Sequence, residues 1–212
     1  MKRIFSIEGN IGSGKSTIIE RLKERFNDFI YLPEPVEEWN KIKDTHGETI
    51  LEKFYKNKER YSFSFQMLAY ISRLSQLKRA IESAPENAVI ITERCLHTDR
   101  HIFAQMLYDT GYIEEIEFKI YLQWFDEFNT FYYAGIIYIQ VNPEVCALRI
   151  KTRNRKGEES IPLEYLVSCH NYHEIWIKCI KNIKVFTFNG NKQIDIEKIY
   201  KVLRTVSTAE IA

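Results

Sequence analysis

Ile7-Glu8-Gly9-Asn10-Ile11-Gly12-Ser13-Gly14-Lys15-Ser16-Thr17 lies directly after an apolar run, Arg3 to Ile7, and opens a helical pattern whose face is Ile18, Ile19 and Leu22. Its GxxxxGK[ST] spacing is that of a P-loop. Gly9, Gly12 and Gly14 let the backbone turn tightly enough to aim several NH groups at one phosphate, Lys15 adds a point charge for the outer phosphates, and Ser16 offers a hydroxyl to Mg²⁺. From Thr17 the helix runs with its positive end toward the anion. Gly9, Asn10, Ile11, Gly12, Ser13, Gly14, Lys15, Ser16 and Thr17 are therefore the expected cradle of a nucleoside triphosphate, and strand, loop and helix follow in the order the motif requires.

The 212 residues, 45% of them apolar, suit one α/β domain over 1–212. Thirty Lys and Arg against twenty-nine Asp and Glu leave no overall field to recruit nucleic acid, so small ligands are expected. Cys95, Cys146, Cys169 and Cys179 form no CxxC pair and read as reduced structural thiols. The N-terminus runs straight into the first strand, and no apolar stretch approaches the eighteen or so residues that span a bilayer. An intracellular, cytoplasmic setting with no membrane partner is expected, an organelle or viral origin being left open.

Five apolar runs read as buried parallel strands: Arg3 to Ile7, Phe29 to Leu32, Ala88 to Thr92, Gly135 to Val141 and Lys184 to Phe188. Helical patterns separate them, which predicts a five-stranded parallel sheet flanked by helices, the P-loop NTPase arrangement. The connection from Trp39 to Glu86 reads as two helices, the second over Glu59 to Glu82, and Ile113 to Phe131 reads as another, aromatic and acidic. Two long helices beyond what the sheet needs for cover predict a homodimer through a helix bundle. Open α/β sheets bind ligands beyond the carboxyl ends of their strands. The P-loop, Pro33-Glu34-Pro35, Glu93-Arg94, Asn142-Pro143 with the arginines that follow, and Asn189-Gly190-Asn191 should then share one crevice.

Together with the P-loop, Pro33-Glu34-Pro35-Val36-Glu37-Glu38-Trp39, Phe63-Ser64-Phe65-Gln66, Glu93-Arg94-Cys95, Asp99-Arg100 and Ile161-Pro162-Leu163-Glu164-Tyr165-Leu166 resemble the deoxynucleoside kinases, and within them the deoxycytidine and deoxyguanosine kinases. Cys95 departs from the serine usual in the ERS motif. The resemblance implies transfer of the ATP γ-phosphoryl group, with Mg²⁺, to the 5′-hydroxyl of a deoxynucleoside.

That reaction needs a proton acceptor, cations for developing charge and in-line positioning. Glu34, stiffened between two prolines, is the first candidate base. Glu93 is its rival, and could instead hold Mg²⁺ with Ser16. Arg94 could donate to the 5′-oxygen and to Glu34. Arg149, Arg153 and Arg155, followed by Gly157, resemble the arginine-rich lid of the family, about residues 149–159, where arginines stabilise the transferring phosphoryl group. Asn189, Gly190 and Asn191 are assigned to the donor side.

Tyr55 and Glu158 match the family's pair at the sugar 3′-hydroxyl; Glu158 rather than Glu159 keeps three residues from Arg155 and four to Pro162. Gln66, Ala69 and Arg73 fall at i, i+3 and i+7 on one helix face, where the glutamine amide can pair with a nucleobase edge. Phe65 and Phe103 resemble the rings that sandwich the base, Trp39 a third wall. Arg73 and Asp99 match a polar pair beside the base, which favours deoxycytidine or purine deoxynucleosides over thymidine.

Two histidines, His170 and His173, suggest a metal site, but they stand three apart on a predicted helix with no third ligand. They match the family's LHxxHE helix, with Cys169 for Leu, and are read as packing. A nucleoside monophosphate kinase of the thymidylate type is the alternative enzyme; it would need a cationic pocket for the acceptor phosphate, against which Glu34 and Tyr55 argue. A GTP-dependent switch is a third reading. It requires DxxG directly after a strand and NKxD, and neither is present.

Overall fold

A computed structural model of the chain describes residues 2–158 and 161–205. Its centre is a five-stranded, all-parallel sheet in the order β2-β3-β1-β4-β5. The strands are β1 (Arg3–Glu8), β2 (Ile30–Leu32), β3 (Val89–Glu93), β4 (Tyr133–Gln140) and β5 (Val185–Asn189). All five expected strands are present within two residues of the expected ends. The largest shift is in β4, which begins at Tyr133 because that residue already pairs with Ile4. Residues Phe5↔Ile91 and Ile7↔Glu93 pair across β1 and β3, so the two strands deliver the P-loop and Glu93 at the same level.

Alternation along the central strands divides the core into two layers. Phe5, Ile7, Ile91, Ile137 and Ile139 pack on Ile18, Ile19 and Leu22 of α1 (Lys15–Arg25), Cys146 and Ile150 of α8 (Pro143–Arg153), and Ile199 and Leu203 of α10 (Ile196–Thr205). Ile4, Ile90 and Ile136 face the other way. They meet Leu77 of α4 (Lys58–Ser83) and Trp176 of α9 (Leu163–Cys179). Near-continuous burial on both faces is why these strands read as plain apolar runs.

A third core sits off the sheet, where α2 (Val36–Trp39), α3 (Ile50–Lys56), α4 and α7 (Glu115–Phe128) bury Trp39, Phe54, Phe65, Tyr70, Tyr121 and Phe125. Local signals start these helices. Thr49 and Glu52 form a reciprocal capping box on α3, and the Asn57 side chain accepts from the Arg60 amide to begin α4. After β3 the chain passes through α5 (Leu96–Thr98), a wide i→i+5 segment over Asp99–Ala104, and α6 (Gln105–Asp109). That widened segment has no counterpart in the sequence reading. On α7, Ile116, Ile120 and Trp124 are 70%, 41% and 45% exposed at four-residue intervals, an apolar stripe along the outer face of the helix, with Trp124 stacked on Phe128 at 5.4 Å. No described helix is long and apolar enough to cross a membrane.

Candidate active site

Beyond Glu8 the backbone turns through Gly9 at φ +146°, where an added Cβ would stand 2.6 Å from the Ile139 carbonyl oxygen. No side chain fits there. Gly14, also at positive φ, caps α1 without a side-chain bond, so the first amides of the helix stay open to an anion. Lys15 is buried and its Nζ donates to the Asn10 carbonyl at 2.8 Å. Asn10 holds the loop from behind: its Oδ1 accepts from the Ile11 amide and its Nδ2 donates to the Leu166 carbonyl, both at 2.8 Å. Ser16 Oγ donates to Glu93 Oε1 at 2.9 Å, which sets a hydroxyl and a carboxylate side by side at the mouth of the P-loop. Hard oxygen donors of this kind fit Mg²⁺.

Just past the end of β2, Glu34 meets three guanidinium groups. Arg94 Nε donates to Glu34 Oε1 at 3.3 Å, Arg73 Nη2 stands 3.8 Å from the same oxygen, and Arg155 Nη1 is 3.8 Å from Oε2. Burial works to raise the Glu34 pKa, yet the charges of Arg94, Arg73, Lys15 and Arg155 outweigh it and hold the carboxyl below its ordinary range. It stays ionised. Arg94 adopts φ +65°, a left-handed conformation that costs a non-glycine residue about 1–3 kcal/mol. Its guanidinium also donates to the Gly9 carbonyl at 2.9 Å and lies 4.8 Å from the centre of the Phe103 ring.

Arg73 Nε donates to Asp99 Oδ2 at 2.9 Å, both side chains being buried, and Arg73 Nη1 donates to the Glu93 carbonyl. Burial, with the charge of Glu34 adding, raises the Asp99 pKa against the pull of Arg73; burial alone would lower that of Arg73, but Asp99 and Glu34 raise it. The guanidinium is the fixed charge of this pair. Around it Phe65 stacks on Phe54 with centroids 4.8 Å apart, and Trp39 stands edge-on to Phe65 at 5.3 Å while its Nε1 donates to Ser72 Oγ. Tyr55 faces Tyr165 at 6.5 Å; burial, then the charge of Glu158, pushes its hydroxyl pKa up. Arg153 and Arg155 both donate to the buried Glu158 carboxylate, Arg155 at 3.1 Å. Glu159 lies outside the described residues.

One cavity of about 520 Å³ collects most of the sequence-derived candidates. Gly12, Gly14, Lys15, Ser16 and Thr17 line one end, Trp39, Tyr55, Phe65, Gln66, Ala69, Arg73, Asp99 and Phe103 the other. Glu34, Glu93, Arg94, Arg149, Arg153, Arg155 and Glu158 also face it. Ile11 joins the lining, whereas Gly9, Asn10 and Ser13 do not. The Asn189-Gly190-Asn191 turn stands outside the lining. Asn191 pairs with Asn142, and Gly190 accepts from Arg149 Nη2 at 2.8 Å.

The sequence reading did not assign Glu20, Leu51, Phe54, Thr152 and Tyr165 to the site, and they also line the cavity. Phe54 and Tyr165 were within reach, since one adjoins Tyr55 and the other falls in the Ile161-to-Leu166 motif. His173 is buried against Arg94, with its Nε2 3.4 Å from Nη1.

The phosphate cradle, the cation-bound carboxylate and the aromatic slot thus lie in one continuous space. A profile of the family described as "Deoxynucleoside kinase" matches residues 5–209. Human deoxycytidine kinase is 39% identical over 95% of this chain and 91% of its own length. Deoxycytidine kinase 1 of Xenopus laevis is 35% identical over 98% and 91%, and the mitochondrial deoxyguanosine kinase of the same species 32% identical over 92% and 80%. A P-loop opening a parallel sheet, a profile match along nearly the whole chain and relatives aligned over most of their length place this chain in the deoxynucleoside kinase family, the phosphotransferases of nucleotide salvage.

Proposed function

We propose that this kinase phosphorylates deoxycytidine or purine deoxynucleosides in preference to thymidine, with Glu34 as the group that receives the 5′-hydroxyl proton. The arrangement that carries the reading is Glu34 held by Arg94 between the P-loop and the aromatic slot. The nucleoside base lies between Phe65 and Phe103, with Gln66 on its pairing edge and the Arg73–Asp99 pair filling the space a thymine methyl would need. Tyr55 and Glu158 bind the 3′-hydroxyl. The 5′-oxygen then faces Glu34, whose ionised state lets it accept a hydrogen bond that becomes a proton as the O–P bond forms; the bond to the ADP leaving group breaks, and the proton passes to solvent.

Glu93 has one oxygen committed to Ser16 on the phosphate side, which favours Glu34 as the base. Ser16 and Glu93 would hold Mg²⁺, which when bound neutralises charge on the β- and γ-phosphates. Lys15 pairs with the same phosphates. Arg153 and Arg155 form the lid, exchanging Glu158 for the transferring phosphoryl group, while Arg149, anchored to the Ser13 and Gly190 carbonyls, ties the Asn189-to-Asn191 turn to the donor side. The apolar stripe on α7 supports a homodimer through α7 and α4, and a supply of ATP implies an intracellular setting.

The deciding experiment compares Glu34→Gln and Glu93→Gln with each deoxynucleoside, ATP and Mg²⁺. Glu34→Gln should lose about two orders of magnitude in turnover. A nearly active Glu34→Gln beside a dead Glu93→Gln moves the base to Glu93, and efficient use of thymidine by the wild type removes the preference.

A further inference from the structure

We infer that His173, on α9, is a positioning residue for the reaction: a neutral imidazole protonated at Nδ1, whose bare Nε2 accepts a hydrogen bond from Arg94 Nη1 and so fixes the guanidinium that holds Glu34. The inference rests on the roles given above to Arg94 and Glu34.

The two neighbours of the ring admit one tautomer. Nδ1 is 2.6 Å from the Cys169 carbonyl oxygen, which can only accept, so Nδ1 carries the proton. Nε2 is 3.4 Å from Arg94 Nη1, which can only donate, so Nε2 is bare. Burial and the Arg94 charge also hold the imidazole pKa well below its ordinary value, which keeps this form throughout the neutral range. The ring is fully buried, with Tyr138 near-parallel to it at 6.2 Å and Phe103 edge-on at 6.4 Å. Tyr138 is itself fixed through its hydroxyl bond to Glu174 at 2.8 Å.

Arg94 Nη1 has two protons and two acceptors, the Gly9 carbonyl and His173 Nε2. Removing the imidazole leaves one N–H buried without a partner, and a guanidinium free to rotate off Glu34 to find one. On α9, Leu166, Cys169 and His173 fall at i, i+3 and i+7, one face of the helix. That face receives Asn10 of the P-loop at the Leu166 carbonyl and Arg94 at His173, so donor cradle and acceptor clamp share one support.

The test uses the full chain. In a long-range ¹H–¹⁵N correlation spectrum His173 should show a protonated Nδ1 and a bare Nε2, and the Nε2 resonance should shift in Arg94→Lys. His173→Leu should lower kcat about 10- to 100-fold, the scale of a misplaced catalytic group, with KM for deoxycytidine changed less than about threefold. His173→Gln, whose Oε1 can accept from Nη1, should recover most of that loss. In an Arg94→Ala background His173→Leu should add less than about twofold, since its partner is already gone.

A protonated Nε2, equal losses in the Leu and Gln variants, or a His173→Leu loss that persists undiminished with Arg94→Ala overturns the inference. If His173→Leu does not fold, the tautomer and the Gln variant decide. Should Arg94→Ala prove fully active, it is the Arg94–Glu34 reading that fails, and the tautomer with its response to Arg94→Lys still decides whether His173 holds the guanidinium.

Discussion

Binding of ATP to this kinase should draw a proton from solvent at alkaline pH, and Lys15 is the group that takes it. In the free enzyme burial lowers the Lys15 pKa, Arg94 lowers it further, and Glu93, Glu34 and Glu8 only partly restore it, leaving it pushed down to about 8 from an ordinary 10.5. A bound polyphosphate returns the ammonium to at least its ordinary value, a shift of about 2.5 units, or roughly 3 kcal/mol of coupling between proton and donor. At pH 8.5 the free side chain is about one quarter protonated and the bound one almost fully so, which gives an uptake of about 0.7 proton; at pH 7 it is about 0.1. The sign follows from the depressed pKa: donor affinity is full below about 8, falls about tenfold by pH 9, and free-enzyme stability gains from the same group as pH climbs toward 10.5. Calorimetric titration of ATP in two buffers of different ionisation enthalpy reads the uptake directly, and the nucleotide phosphates are already ionised at pH 8.5 and contribute little. Lys15→Met should abolish the uptake and phosphoryl transfer together while leaving the fold intact. Uptake below about 0.2 proton at pH 8.5, or equal uptake in Lys15→Met, would falsify the assignment.

Arg73→Met with Asp99→Ala removes both buried charges at once and opens space for a methyl group, so the thymidine-to-deoxycytidine ratio of kcat/KM should rise about tenfold or more; an unchanged ratio removes the pair from specificity. Asp99→Ala alone should instead cost about 3–5 kcal/mol of stability, because it strands Arg73, and denaturant titration would show whether the double variant is the more stable of the two. Arg153→Ala should lower kcat about a hundredfold with little change in nucleoside affinity, and a loss confined to affinity would mean that Arg153 is no lid residue. Ile120→Glu with Trp124→Glu should convert a dimer to a monomer in sedimentation velocity, whereas an unaltered sedimentation coefficient places the stripe outside any interface.

The central strands β1, β3 and β4 are buried on both faces and announce themselves as apolar runs, the edge strands β2 and β5 keep enough apolar residues to be read although only half-buried, and the P-loop glycines specify their own backbone. Side chains on the regular helix α4 were legible for the same kind of reason: Gln66, Ala69 and Arg73 share a face by periodicity alone and do line the cavity. Where the period changes, periodicity gives no guide, and Asp99 and Phe103 were reached through the family resemblance alone. The widened helix at Asp99–Ala104 carries Asp99 and Phe103 into the cavity, but an i→i+5 turn has no composition of its own. Phe54 and Tyr165 were not assigned to the site because an aromatic residue on a helix looks the same whether it faces a core or a ligand slot. Asn189 to Asn191 end their strand like the other candidates, yet β5 is an edge strand and its terminus meets Asn142 and Arg149 in place of the open cavity.

Helix α9 serves as a ruler. The points at which it meets the P-loop and the guanidinium, Leu166 and His173, are seven residues apart, about 10.5 Å along the axis and nearly two whole turns. That interval matches the spacing of the two contacts, and so backs the direct bond from Arg94 to the Gly9 carbonyl with a second, rigid link between loop and guanidinium. Exchange of the outward residues Val167 and Asn171 leaves the interval untouched. Inserting or deleting a single residue between the two contacts would rotate one of them about 100° out of line, so the outward positions of this stretch should accept new side chains while the buried Cys169 and the length itself should not change.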